Sequence, residues 1–117
     1  MNSLRFRIFL LLIIVPSICQ PKFALVFSDK IEKFIVKLAD KDSEREKGLM
    51  NLRELKHYNG MLFIYNEPRI VRMWMKNTLI PLKFIFVDEN DLIIKVDEGE
   101  PLSKKIISSN SQVNTVI

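Results

Sequence analysis

The feature that most constrains this chain is its content of β-branched aliphatic side chains. Its 117 residues include fifteen isoleucines and eight valines but only two alanines, Ala24 and Ala39. β-Branched side chains favour strands, and a helical bundle would need many more alanines and unbranched residues. Because 48% of the residues are apolar, the chain can form a core, which excludes an intrinsically disordered protein. A chain of this length makes one domain at most.

The first 19 residues differ in composition from the rest. Arg5 and Arg7 precede the apolar run Ile8–Val15, Pro16 ends that run, and small residues occupy the −3 and −1 positions of a cleavage site after Cys19. This order is typical of a secretory signal peptide over residues 1–19. The run is shorter than the roughly 20 residues that a membrane-spanning helix needs. We therefore predict an exported, periplasmic protein that meets the membrane only during export. An uncleaved N-terminal anchor and a lipid-modified Cys19 are the alternatives.

Cleavage after Cys19 would leave 98 residues with a net charge of +2 and no cysteine. A cysteine-free chain suits an oxidising compartment, and it excludes a disulfide framework, a CxxC redox pair and a cysteine-based zinc site. The small positive charge is not gathered on a basic face with interleaved aromatic residues, so we expect no nucleic acid partner.

The remaining sequence predicts several short strands and one helix. Residues 20–33 form a leader or linker, and the domain spans residues 34–117, beginning with the strand Phe34–Ala39. Ser43 and Glu46 have capping-box spacing and predict a helix from Ser43 to about Met50. Further strands are expected at Met61–Tyr65, Arg69–Met75, Lys83–Val87 and Leu92–Val96.

Turn signals separate these strands. Glu67 and Pro68 interrupt the chain between the second and third strands, and Asp88–Asp91 predicts a β-hairpin turn. Val113–Ile117 begins one more extended segment. The predicted fold class is α+β, mainly β: a compact single domain of five to six short, largely antiparallel strands, barrel- or sandwich-like, with one short helix.

Alternation along Arg69–Met75 divides that strand into two faces. One face is apolar at positions 71, 73 and 75, whereas the other places Trp74 between Arg72 and Lys76. Cations beside an indole ring can form cation–π contacts or flank a platform for a sugar or an acidic ligand. Trp74 could instead be a core residue whose indole N–H meets a backbone carbonyl.

Lys76 is followed by Asn77 and Thr78, an amide and a hydroxyl just before the kink at Pro81. These groups could hydrogen-bond the backbone of the kink, or they could converge on a bound ligand. Our leading hypothesis is that an envelope small molecule or polysaccharide, a carbohydrate or an anion, binds at one surface. Its residues are Arg72, Trp74, Lys76, Asn77 and Thr78.

Catalytic and metal chemistry have weaker support in the sequence. The methionines could bind Cu(I) together with His57, but each lies in an apolar run where methionine is an ordinary core residue. No nucleophile motif accompanies the single histidine. Carboxylates near Asp88 and Asp97 could serve an enzyme acting on envelope carbohydrate, although solvated acids are the default in turns. We expect a binding protein rather than an enzyme, with no metal, no cofactor and no assigned catalytic residue.

Three motifs carry a resemblance to a known family: Gly48-Leu49-Met50, Gly60-Met61-Leu62-Phe63 and the run Trp74–Leu82. Over about residues 34–117 the chain resembles the family called domain of unknown function 192, which comprises exported or membrane-tethered prokaryotic proteins. The resemblance implies a compact, mainly β domain with a small helix. It implies no established activity and no catalytic residues.

The chain departs from the family pattern at three places. Leu52 stands where an arginine is usual, with Arg53 one residue later, and Lys83 stands where an aspartate is common. The family also continues with a further strand beyond the position of Ile117, so the resemblance implies a C-terminally truncated member. A missing strand would leave Val113–Ile117 at an open sheet edge. That edge predicts a strand-pairing partner and, as a third hypothesis, a structural or assembly module.

Overall fold

Strands make up most of the chain, as the β-branched composition predicts. The computed structural model describes residues 6–9, 23–28 and 31–117. In chain order the elements are β1 (Phe6–Phe9), β2 (Phe23–Ser28), β3 (Ile31–Ala39), α1 (Asp42–Lys47), β4 (Gly60–Met73), β5 (Leu82–Val87), β6 (Ile93–Gly99) and β7 (Ile107–Val116).

All of the strands belong to one sheet, in the order β1-β2-β3-β4-β7-β5-β6. The pairing of β3 with β4 is parallel, and the other pairings are antiparallel. The described sheet does not close into a barrel. Five strands and α1 lie within residues 31–117, which confirms the predicted mainly β domain with one short helix.

The sheet buries apolar side chains on both faces, because successive residues of a strand point to opposite sides. Phe63 of β4 and Phe86 of β5 belong to the larger cluster, which also includes Leu49 from the segment after α1. Leu62 and Val87, their sequence neighbours, belong to a smaller cluster on the other face. The larger cluster is the one that lies beneath the pocket described below.

The helix is shorter than the sequence indicates, and the predicted capping box is wrong. Lys41 precedes the first helical residue, and no side chain caps that end. Gly48 ends the helix at a φ of 49°, and its N–H donates to the Glu44 carbonyl. A residue in the left-handed region stops helix propagation and is easiest for glycine, so the helix ends before the predicted Met50.

The predicted break at Glu67 and Pro68 does not end a strand. β4 runs through both residues, and the interruption is a shift in its pairing with β7 between Ile64 and Arg69. Proline cannot donate a backbone hydrogen bond, and within sheets it is tolerated at such irregularities. One long irregular strand therefore replaces the two predicted strands.

The predicted open edge at Val113–Ile117 is also wrong. Val113 and Val116 pair with β4, and Thr115 and Val116 pair with β5. The N–H and C=O of Ile117 exchange hydrogen bonds with Ile85. Since β4 and β5 occupy both sides of this segment, no free strand edge remains there for a partner.

Most of the predicted signal peptide, residues 1–19, lies outside the described residues, so its export role stays a prediction. The described part, β1, pairs antiparallel with β2. β2 and the start of β3 fall in the segment predicted to be a leader or linker, residues 20–33. Within the described residues, no helix has both the length and the apolar character that a membrane span requires.

Candidate functional site

A pocket of about 370 Å³ lies between the C-terminal end of α1 and the face of the sheet that carries the larger apolar cluster. Strand β4 supplies its aromatic wall through Phe63 and Tyr65, and β5 supplies Phe84. The turn at Gly48, which brings α1 over the sheet, forms another side. The charged side chains of the lining are Asp42, Arg45, Glu46, Lys47, Arg69 and Arg72.

Tyr65 lies between two arginines. The guanidinium carbons of Arg45 and Arg69 are 5.2 and 5.4 Å from the centroid of its ring. Arg45 is held in place, since its Nη1 donates to the Ile64 carbonyl at 2.9 Å and its Nη2 donates to Asp42. Burial raises the pKa of the Tyr65 hydroxyl above its ordinary value, and the two nearby positive charges partly oppose that rise. Tyr65 therefore offers an aromatic ring that two cations contact.

The pocket has an excess of positive charge. Arg45 is paired with Asp42, but the side chains of Lys47, Arg69 and Arg72 have no hydrogen-bond or ion-pair partner within the described residues. Glu46 is the other acid of the lining. The formal charge of the lining is therefore +2. Unpaired cations beside a partly apolar cavity attract and can bind an anion.

Two of the predicted site residues line the pocket with exposed side chains. Arg72 is exposed, and Trp74 keeps 43% of its surface exposed. This placement follows from the predicted alternation, because Val71 and Met75 are buried while their neighbours face solvent. Trp74 is therefore not the core residue of the alternative interpretation.

Lys76 lies next to Trp74, with its Nζ 5.1 Å from the centre of the indole ring. It does not line the pocket. The predicted cation–π pair between Lys76 and Trp74 is thus present, although Lys76 itself lies outside the pocket lining. The recognition role of these residues stays a prediction.

Asn77 and Thr78 serve the turn that follows β4. The Thr78 N–H donates to the Met75 carbonyl at 3.0 Å, and Asn77 has a φ of 55°, which asparagine tolerates better than most residues. Thr78 is only 4% exposed, and its hydroxyl donates to the Lys76 carbonyl at 3.3 Å. Asn77 lies outside the pocket lining, whereas Thr78 forms part of its floor. Asn77 and Thr78 therefore fit the alternative in which they stabilise the turn. Of the five residues of the predicted binding surface, Arg72 and Trp74 line the pocket with exposed side chains.

The residues considered for copper binding differ in their exposure. Met61 and Met75 are buried in the larger apolar cluster, and His57 is exposed. Among residues 31–117 and the shorter described segments, no group of three histidine, cysteine or acidic side chains is placed to hold a metal ion.

The carboxylates considered for glycoside hydrolysis also lie apart. Asp88 accepts hydrogen bonds from the N–H groups of Asn90 and Leu92, and so closes the hairpin turn. Asp97 pairs in register with Phe84, four residues from Asp88, which corresponds to roughly 13 Å along the strand. A carboxylate pair that cleaves glycosides is separated by only about 5–9.5 Å. Neither acid lines the pocket.

Three further residues of the pocket lining were not predicted from the sequence: Arg45, Tyr65 and Arg69. The sequence does contain a signal for Arg69, because it is two residues before Val71 and so has the same parity in the strand as the apolar face. Arg45 and Tyr65 carried no comparable signal. They meet only because α1 folds over β4, a contact that no local pattern encodes.

Two solved structures are similar to this chain. A Sinorhizobium meliloti 1021 protein, described as a "putative transcription regulator", is 40% identical with a TM-score of 0.69, over 73% of this chain and 67% of that one. A Novosphingobium aromaticivorans DSM 12444 protein of unknown function is 27% identical with a TM-score of 0.71, over 82% of this chain and 70% of that one. No curated protein matches the chain.

A family model also matches most of the chain. The model of DUF192, described as "Uncharacterized ACR", matches residues 24–117, which begins ten residues before the predicted domain start at Phe34. The matched region includes β2 as well as β3–β7 and α1. Because this match covers most of the chain, the protein belongs to the DUF192 family.

Proposed function

We propose that this protein is an exported, non-enzymatic domain that binds an anionic carbohydrate of the cell envelope in the pocket between α1 and β4. The observation that carries the proposal is a set of three cations in one partly apolar pocket, Lys47, Arg69 and Arg72, none of which has an ion-pair partner among the residues that the structure describes. Its volume of about 370 Å³ lies at the lower end of the range for small-molecule sites, about 300–1,000 Å³.

The chemistry of the lining favours a ligand with an acidic group and a ring. A guanidinium group presents paired N–H donors that match a carboxylate, and the hydrogen bonds it forms are charge-assisted. Arg69 and Arg72 would bind the acidic group, and the exposed ring of Trp74 would pack against the sugar ring. Tyr65 adds a second aromatic surface.

The location of the ligand follows from the N-terminal sequence. The basic residues and apolar run of residues 1–19 support export, so the ligand would be an envelope component rather than a cytoplasmic metabolite. Mass spectrometry of the protein recovered from the producing cell would test this part. A mature chain beginning at Gln20 would support export with cleavage, and recovery of the whole chain from the cytoplasm would contradict it.

Trp74 provides a direct test of binding, since it is the single tryptophan of the chain and it lines the pocket. We expect its fluorescence to change on titration with galacturonate, and to change far less with galactose, which lacks the carboxylate. The variant Arg72→Gln should raise the dissociation constant about tenfold, because it removes one charge-assisted interaction.

Arg53→Gln is the matched control, because it removes one exposed arginine outside the pocket. It should leave the titration unchanged. Equal responses to galacturonate and galactose would contradict recognition of the acidic group. Equal effects of the two substitutions would show that only net charge matters, and the pocket would not be the binding site.

A further inference from the structure

Two connecting segments lie together at one end of the sheet. Residues 74–81 join β4 to β5, and residues 100–106 join β6 to β7. The Met75 N–H donates to the Ser103 carbonyl at 3.1 Å, and the Leu102 N–H donates to the Thr78 carbonyl at 2.9 Å. These backbone hydrogen bonds hold the segments side by side.

This end of the molecule exposes large apolar side chains. Leu102 is 58% exposed, the highest fraction among the large hydrophobic residues within 35–117, and Ile106 is 54% exposed. Single exposed apolar residues are ordinary on protein surfaces, but a group of them on adjacent segments marks an interaction site. We call this group the loop patch; it consists of Trp74, Leu79, Leu102 and Ile106.

Leu102 is the least expected member of the loop patch. It follows Pro101 in a turn closed by a hydrogen bond from the Ser103 N–H to the Glu100 carbonyl at 3.2 Å, and its φ is 65°. A turn with proline second and a positive φ at the third position normally has glycine or asparagine there, because a larger side chain is strained. Because its side chain is mostly exposed, burial does not compensate for this strain. Unfavourable backbone conformations of this kind are characteristic of functional sites.

Basic side chains lie on the same two segments as the loop patch. Lys104 and Lys105 are exposed and have no ion-pair partner within the described residues, and Lys76 lies against Trp74. Glu100 is the only acidic residue in the two segments. The two segments therefore carry a formal charge of +2 beside exposed apolar side chains.

We propose that the loop patch docks the folded domain onto the surface of an anionic lipid bilayer. A bilayer fits the charge and shape, because lysines attract anionic headgroups while leucine, isoleucine and tryptophan side chains insert at the interface. Leu79, Leu102 and Ile106 are exposed and lie outside the pocket lining, so their side chains are available for insertion into a lipid surface. This membrane association goes beyond the proposed ligand pocket and does not depend on it.

Vesicle binding with the full chain tests the proposal. We expect the protein to bind vesicles of phosphatidylglycerol and phosphatidylcholine, and to bind vesicles of phosphatidylcholine alone much more weakly. Lipids brominated on their acyl chains should quench Trp74, the single tryptophan. That quenching places the loop patch itself in the bilayer. The apolar run at the N-terminus is present in every variant, so comparisons between variants report the patch.

Leu102→Gly is the decisive variant. It removes the inserted side chain and relieves the positive-φ strain, so the lipid concentration for half-maximal binding should rise roughly tenfold while the melting temperature does not fall. A structural role for Leu102 would instead lower the melting temperature. Unchanged binding by this variant, or unquenched Trp74 in bound protein, would overturn the proposal.

Two further comparisons complete the test. Ile106→Thr should weaken binding several-fold, whereas Val96→Thr, at a site of similar exposure (51%) on β6, should not. The double variant of Lys104→Gln and Lys105→Gln should lose about fivefold for each charge, and the control Lys41→Gln with Arg53→Gln should lose much less. Equal losses in patch and control variants, or self-association through the patch without vesicle binding, would also contradict docking.

Discussion

Two turns at the same end of the sheet differ in how well the residue at positive φ suits its backbone conformation. In the turn Met75–Thr78 the residue at positive φ is Asn77, and the flanking Met75 and Thr78 are buried. In the turn Glu100–Ser103 the residue at positive φ is Leu102, which is exposed. The first turn has the residue that its backbone favours, whereas the second has one that its backbone disfavours.

This difference distinguishes a turn residue that stabilises the fold from one that does not. Asparagine at a left-handed position is a local solution that stabilises the turn. Leucine at such a position adds strain and exposes apolar surface, so stability alone does not account for it. The first turn therefore anchors the fold, whereas the second exposes an apolar side chain, which we propose inserts into a bilayer.

The largest effect is expected from the anchor of the first turn. Met75→Ala removes a fully buried side chain from the larger cluster, and it should lower the free energy of unfolding by about 2–5 kcal/mol. Urea denaturation followed by circular dichroism measures the loss. Met73→Ala, at a partly buried position in the same region, should cost less. Equal losses would mean that the turn is not anchored through Met75.

Gly99→Ala should produce the next largest effect. Gly99 ends β6 just before the second turn, and a Cβ there would lie 2.6 Å from the Met75 Sδ and 2.7 Å from the Phe84 Cε2. Overpacking of a buried site costs about 1–3 kcal/mol. In the double variant of Gly99→Ala and Met75→Ala, the loss of unfolding free energy should be smaller than the sum of the two single losses. The reason is that Met75→Ala removes one of the two side chains that would clash with the new Cβ. Strict additivity would show that the two turns do not share this contact.

Asn77→Ala should change the free energy of unfolding less than the two preceding substitutions, and it tests the backbone preference of the first turn. Alanine is less tolerant than asparagine of a φ near 55°, so the free energy of unfolding should fall by about 1 kcal/mol. Asn77→Gly should be close to neutral, since glycine adopts this conformation without strain. Chemical denaturation of both variants provides the measurement. A larger loss for glycine than for alanine would mean that the asparagine side chain, not its backbone tolerance, holds the turn.

Leu102→Gly should have the smallest effect on stability and the opposite sign. Glycine relieves the backbone strain of the folded state, but it also raises the conformational entropy of the unfolded chain. The first effect is only slightly larger than the second, so we expect stabilisation of at most about 1 kcal/mol. Differential scanning calorimetry is suited to so small a change. A clear loss of stability would remove the contrast between the two turns, since Leu102 would then be a structural residue like Asn77.

Several parts of the fold could be predicted from local patterns. The alternation from Arg69 to Met75 assigned Val71 and Met75 to one face and Trp74 to the other, because the two-residue period of a strand is a local property. It left open whether Trp74 is covered, and the structure leaves 43% of its surface exposed. The hairpin around Asp88–Asp91 was likewise predicted from its turn residues. The helix was placed within one residue at its start but extended too far at its end, since Gly48 stops it at a positive φ.

The candidate site was predicted less completely. Arg72 and Trp74 line the pocket, but Asn77 serves the turn instead, and the arginines around Tyr65 were not foreseen. Local sequence assigns a residue to a face or a turn. It does not indicate which distant element will cover that face, and here the cover is α1.

The sequence by itself determined that this chain would be mainly β with one short helix, because β-branched side chains restrict the backbone locally. Only the tertiary structure decided that β7 lies between β4 and β5 and that α1 brings Arg45 to Tyr65. Strand order and helix docking depend on the burial of apolar surface between segments far apart in the chain. That energy depends on the combination of segments, so no single segment encodes it.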